Sequence, residues 1–180
     1  MKKYILLFLF LLNAFMIDSD VMEESKLKSI FIYQIGKFTR WPQQTTDPDT
    51  PFVISIIGKT SPGSEIDIPG DKTIDNREIL IRKISKLQEV PGSDVLFVTN
   101  SEAYRLETIL DHIGNIPVLT FGDTEGFAER GVIVNFCIEN NKLRFEINLE
   151  AVKKASLHLE FRLVKLAVRV FPQKKGSRGK

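Results

Sequence analysis

The chain has 180 residues, a formal net charge of +2, 43% hydrophobic and 27% charged residues, and a single cysteine, Cys137. That length suits one domain with its own core. The near-neutral balance gives no case for a nucleic-acid-binding protein, and a lone cysteine excludes an intramolecular disulfide, so packing must hold the fold even in an oxidising compartment.

Lys2-Lys3 followed by an uncharged run over residues 4–17 reads as the basic and apolar regions of a secretory signal. The run falls short of the roughly 20 apolar residues that a membrane span needs. Ala14 and Ser19 are the small residues near the expected cleavage point, and no cysteine there invites a lipid anchor. Residues 1–20 are therefore expected to be a signal peptide, residues 21–171 one folded domain, and residues 172–180 a disordered basic tail.

Within the domain, Leu27, Ile30, Phe31, Ile35 and Phe38 recur at helical spacing and predict an amphipathic helix over 21–40, stopped by Trp41-Pro42. The nearly continuous apolar run 52–57 predicts a strand covered on both faces, ending at Gly58-Lys59-Thr60. The polar stretch 61–75 allows a short helix. Strands follow over 78–84 and 94–98, then a helix over 102–113 capped by Asn100 or Ser101 and ended by Gly114, with Tyr104, Leu106, Ile109, Leu110 and Ile113 as its buried stripe. A strand is expected over 117–121 and a short helix over 124–130. Two alternating runs, 132–138 and 143–147, are joined by Glu139-Asn140-Asn141-Lys142, which is hairpin chemistry because Asn tolerates positive φ. Pairing Ile138 with Leu143 places Val134, Phe136, Phe145 and Ile147 on one face, and Asn135, Cys137, Arg144 and Glu146 on the other. Asn148 is placed to cap a helix over 149–156, and a final helix is expected over 157–170. The fold class is α/β: a largely parallel sheet with helices on both faces and a C-terminal β-hairpin followed by helices.

Ligands on such sheets sit beyond the carboxyl ends of the strands, which makes Gly58, Asn100 and Asp123 candidate ligand-loop residues. Gly58-Lys59-Thr60 is not a phosphate-binding P-loop, because Val53 stands where the upstream glycine is needed. His112 and His158 are isolated, no Gly-x-Ser-x-Gly elbow or Cys/His pair occurs, and Asp123 and Glu125 read as capping residues. No catalytic residue, metal ligand or cofactor-binding residue is assigned. Arg144 and Glu146 form either a structural ion pair or a solvated edge, and Trp41 is either a core lid or, with Arg40, an interface anchor.

Phe38-Thr39-Arg40-Trp41-Pro42, the strand-glycine pattern 54–58, Pro117-Val118-Leu119-Thr120, Asp123, Phe127-Ala128, Gly131, Asn135, Arg144-Phe145-Glu146-Ile147-Asn148 and the closing 163–167 resemble, in order, the blocks of the YfiR family. The resemblance covers residues 26–170. It implies a periplasmic α/β protein without enzymatic activity that represses an inner-membrane diguanylate cyclase through its periplasmic domain, or tunes a sensor kinase, and that an outer-membrane lipoprotein can sequester. Disulfides known in the prototype do not carry over to a chain with one cysteine.

Two functions remain open on this reading. The first is a periplasmic regulator that contacts its partner through Arg40, Trp41, Arg144 and Glu146, with a homodimer possible. The second is a small-molecule-binding or sensing protein that uses the loops at Gly58, Asn100 and Asp123.

Overall fold

The computed structural model describes residues 21–42, 49–60 and 65–172. The expected signal peptide and all but the first residue of the expected tail lie outside them. Helix α1 (Val21–Lys37) packs Ile32 and Ile35 into the core and ends earlier than its periodicity indicates. Thr39–Arg40 instead forms a short strand, β1, because the Thr39 hydroxyl donates to the Ile35 carbonyl at 2.7 Å and the backbone finds a distant partner strand.

The next strands are β2 (Phe52–Ile57), β3 (Thr73–Ile74), β4 (Arg77–Ile84), β5 (Val95–Val98), β6 (Leu119–Gly122), β7 (Val134–Glu139) and β8 (Lys142–Asn148). A final strand, β10 (Arg169–Phe171), closes an 8-stranded sheet of order β10-β8-β7-β6-β5-β2-β4-β3. Strands β4, β2, β5, β6 and β7 run parallel; β8 and β3 are antiparallel to their neighbours β7 and β4, and β10 runs parallel to β8. Every residue of β2 and β5 is buried, as expected of strands covered on both sides.

One face carries Phe52, Ile54, Phe97, Phe121 and Phe136 against α1 and the C-terminal segment. The other face carries Ile57, Leu96 and Val98 against α2 (Leu106–Ile113), whose Leu106, Ile109 and Ile113 are buried. Helices on both faces of a mostly parallel sheet are what the sequence predicts. The crossovers from β2 run outward to β4 and then back past β2 to β5, so the carboxyl ends of β2 and β5 form the topological switch point.

The hairpin has the expected register, with Ile138 opposite Leu143, and turns through Asn140 and Asn141 at φ 51° and 58°. Helix α3 (Leu149–Lys154) starts where Asn148 accepts the Ala151 amide at 2.9 Å.

Four expectations are corrected. Residues 100–105 form a 3₁₀ turn ahead of α2, and Tyr104, assigned to the buried stripe, is 80% exposed. Residues 124–130 are turns, folded so that Phe127 packs beneath Gly122, where an added Cβ would lie 2.7 Å from the ring. The stretch 61–75 contributes strand β3 among its described residues. Residues 157–170 do not form one helix. They supply β9 (His158–Leu159), which pairs antiparallel with β1, then the one-turn helix α4 (Phe161–Val164), and then β10. Ser156 at φ 55° ends the preceding helix, and pairing with β1 and β8 outweighs the helical propensity of this Leu-rich segment.

Candidate functional site

At the switch point the chain brings Gly58 and the 99–102 turn into close approach. Gly58 has φ +102°, and a Cβ added there would lie 2.1 Å from the Thr99 Oγ1 and 2.6 Å from the Ser101 Oγ. Only glycine fits, both for conformation and for space. The Lys59 amide donates to the Ser101 Oγ at 2.8 Å, and the Thr99 and Ser101 hydroxyls lie 2.9 Å apart. The loops after β2 and β5 are thus tied to each other by their own hydroxyls, with Asn100 exposed beside them.

Asp123, the third candidate loop residue, follows β6 and is held by α1. Its carboxylate accepts from the Lys28 ammonium at 2.7 Å, and Lys28 also pairs with Glu24 at 2.8 Å. Burial alone would lower the Lys28 pKa, but the two carboxylates outweigh it and hold the group above its ordinary value. Gly58 and Asn100 therefore sit together, while Asp123 is committed to an ion pair with a helix.

Spacing did not reveal a separate cleft of about 320 Å³ between α2, the 129–131 turn and α3. Its floor includes Val118, Thr120, Ile133 and Asn148. Arg130 braces one wall by donating to both Glu107 oxygens at 2.8 Å and to the Ala103 carbonyl at 2.9 Å. The hydrogen bond from Arg130 holds the Glu107 carboxyl below the usual range. Residues from several elements far apart in sequence build this cleft, so no one stretch of sequence announces it.

On the hairpin, Glu146 is 7% exposed and Asn135 1% exposed, so neither stands on a free surface. The ion pair there is not between Glu146 and Arg144. Strand β10 sets Arg169 opposite Glu146, and the two meet at 3.0 Å. Arg144 lies across the ladder from Cys137. The Cys137 thiol is pushed up in pKa by burial first, and further by Glu146 and Glu139. The Asn135 side-chain oxygen is buried without a partner.

Trp41 is 8% exposed and meets the Phe52 ring edge-on at 5.3 Å, which makes it a core lid rather than part of an exposed surface. Its neighbour Arg40 is open to solvent and reaches Glu160 at 3.8 Å. Immediately beyond, Phe161 is 70% exposed, with the Lys165 ammonium 4.7 Å from its ring centre.

Among the described residues there is no group of three or more His, Cys, Asp and Glu that could hold a metal ion, and no helix long and apolar enough to cross a membrane. His112 lies in the last turn of α2 and His158 in β9.

These features describe an α/β domain of the doubly wound kind, with hydroxyl-tied strand ends, a braced cleft and an exposed basic, aromatic corner. The chain belongs to the YfiR/HmsC-like family (DUF4154), which it matches over residues 25–168. In sequence, no curated protein matches it significantly. Solved structures of similar fold include the following two. One is the ABC domain in complex with L-Trp from Streptococcus pneumonia, at TM-score 0.51 and 11% identity, covering 67% of this chain and 55% of that one. The other is a conserved domain protein from Vibrio cholerae O1 biovar eltor, at TM-score 0.52 and 13% identity, covering 84% of this chain and 60% of that one. The chain thus spans less than two thirds of either structure.

Proposed function

We propose that the protein is a periplasmic, non-enzymatic regulator that binds the periplasmic domain of a membrane-bound signalling enzyme, a diguanylate cyclase or a sensor kinase, and holds it in a repressed or tuned state. The family match over residues 25–168 carries this reading. Mechanistically, the protein would bind one conformation of the partner better than the other; a tenfold shift needs only about 1.4 kcal/mol of differential affinity. Arg40 and Arg144 are the contacts we propose from the sequence pattern, and Trp41 and Glu146 would support them from below, since both are buried. An outer-membrane lipoprotein that sequesters the regulator, and a homodimeric form, complete the proposal.

The test is a pull-down of the tagged mature protein from detergent-solubilised membranes, read by mass spectrometry. Enrichment of a cyclase or kinase with a periplasmic sensor domain is the expected result. Recovery of no membrane signalling enzyme would overturn the reading.

A second reading, a small-molecule-binding or sensing protein, is favoured by the cleft between α2 and α3. Pockets of about 300 Å³ and above commonly hold small organic ligands. Under this reading a thermal-shift screen of periplasmic solutes finds a stabilising compound, and Ala151→Trp in the cleft wall abolishes that shift.

A further inference from the structure

The C-terminal corner around α4 sets an exposed aromatic ring beside cationic side chains. Leu159 and Leu163 are buried and anchor β9 and α4. The Glu160 amide donates to the Phe38 carbonyl at 3.1 Å, fixing the start of α4 against the end of α1. This anchoring turns Phe161 outward, with Arg162 exposed beside it and Lys165 stacked over its ring. On the adjoining strand β1, Arg40 is 75% exposed at its side chain, and its ion-pair contact among the described residues is with Glu160 at 3.8 Å. Phe161, Arg162 and Lys165 are therefore exposed together on and just after α4, with Arg40 joined to them through Glu160.

We propose that this corner, formed by Arg40, Phe161, Arg162 and Lys165, is the docking surface for an acidic protein face with an apolar recess that receives Phe161. The inference rests on the regulator reading above, and the occupant is the periplasmic domain of the regulated enzyme. Arginine and aromatic side chains dominate binding energy at protein interfaces, especially where they are held rigidly before binding. Here the β1–β9 ladder and the buried leucines supply that rigidity. The cation over the ring is an arrangement that gains strength once water is excluded. Opposite charge on the partner speeds encounter and sets orientation. One exposed aromatic residue gives little insertion into a bilayer, so the chemistry favours a protein.

The test uses the full mature chain and the purified periplasmic domain of the enzyme that the wild type captures. Three variants are compared: Phe161→Ala, the double reversal Arg162→Glu with Lys165→Glu, and Tyr104→Ala as an exposed aromatic control on the 3₁₀ turn before α2. Circular dichroism and melting temperature report whether each folds. The expected result is binding at least about tenfold weaker for Phe161→Ala and for the double reversal, unchanged binding for Tyr104→Ala, and wild-type affinity that falls as salt rises. Equal binding by all forms overturns the surface and leaves the regulator reading standing. Capture of no cyclase or kinase by the wild type overturns both. Binding to phosphatidylglycerol-containing vesicles that the double reversal abolishes, without any protein partner, assigns the corner to lipid and also overturns the proposal.

Discussion

Arg77 and Asp94 meet at 2.8 Å with side chains only 5% and 9% exposed. The second Asp94 oxygen accepts the Val53 amide at 2.8 Å, and Arg77 donates to the Thr50 and Pro51 carbonyls at 2.9 and 2.6 Å. The guanidinium also stands 5.4 Å from the Phe52 ring centre. One pair thus satisfies the backbone at the start of β2 and ties it to β4 and β5. Removing one partner of such a pair leaves a buried charge unpaired, which costs about 3–5 kcal/mol. Asp94→Ala is expected to lower unfolding free energy by that amount in a urea titration; a loss below about 1 kcal/mol would show that water reaches Arg77. Local sequence could not announce this pair. Arg77 reads as the edge of one strand and Asp94 as the start of another, and only the strand order brings them together. The same holds for Glu146: its polar face was legible from alternation, but its true partner, Arg169, lies on a strand that periodicity assigned to a helix.

Among the elements, turns with distinctive backbone chemistry were legible and those beside very short strands were not. Asn140-Asn141 marks the β7–β8 hairpin because Asn populates positive φ more readily than other non-glycine residues, and long alternating runs flank it. Asp75-Asn76 uses the same chemistry at φ 51° and 62°, yet β3 before it has only two residues and gives no period to read. If the backbone at Asn76 is what the β3–β4 turn requires, Asn76→Val should destabilise the protein by about 1–2 kcal/mol, while Asn76→Gly should be neutral or slightly stabilising. Thermal melts of the two variants check this. Equal effects would mean that the turn is not under conformational demand. The C-terminal segment shows the opposite failure: a strong helical pattern overridden by pairing. Leu159 and Leu163 serve the core from β9 and α4, and the remaining residues complete the sheet edge at β8. Propensity is a weak guide where backbone partners are waiting elsewhere in the fold.

At the scale of the molecule, alternation of apolar runs with helical stretches was enough to give the fold class, since it implies parallel strands with helices on both faces. Strand order, and with it the switch point at Gly58 and Thr99, was not legible because periodicity carries no information on which strands are neighbours. Of the two apolar clusters, one on each face of the sheet, one includes Ile32 of α1, Phe52 of β2, Phe136 of β7 and Leu159 and Leu163 near the C-terminus. A core that links both ends of the described domain implies one cooperative unfolding transition. Cysteine chemistry has no part in it: Cys137 sits half-buried on β7, and its raised pKa keeps the reactive thiolate scarce at neutral pH. The melting temperature should therefore agree within about 2 °C with and without dithiothreitol, and Cys137→Ser should melt with the wild type. A lower melting temperature in reductant, accompanied by a dimer band on a non-reducing gel, would show instead that an intermolecular Cys137 bridge contributes to stability. With one cysteine, the stability of this chain follows from packing between the sheet and the segments that cover it, and it should be indifferent to the redox state around it.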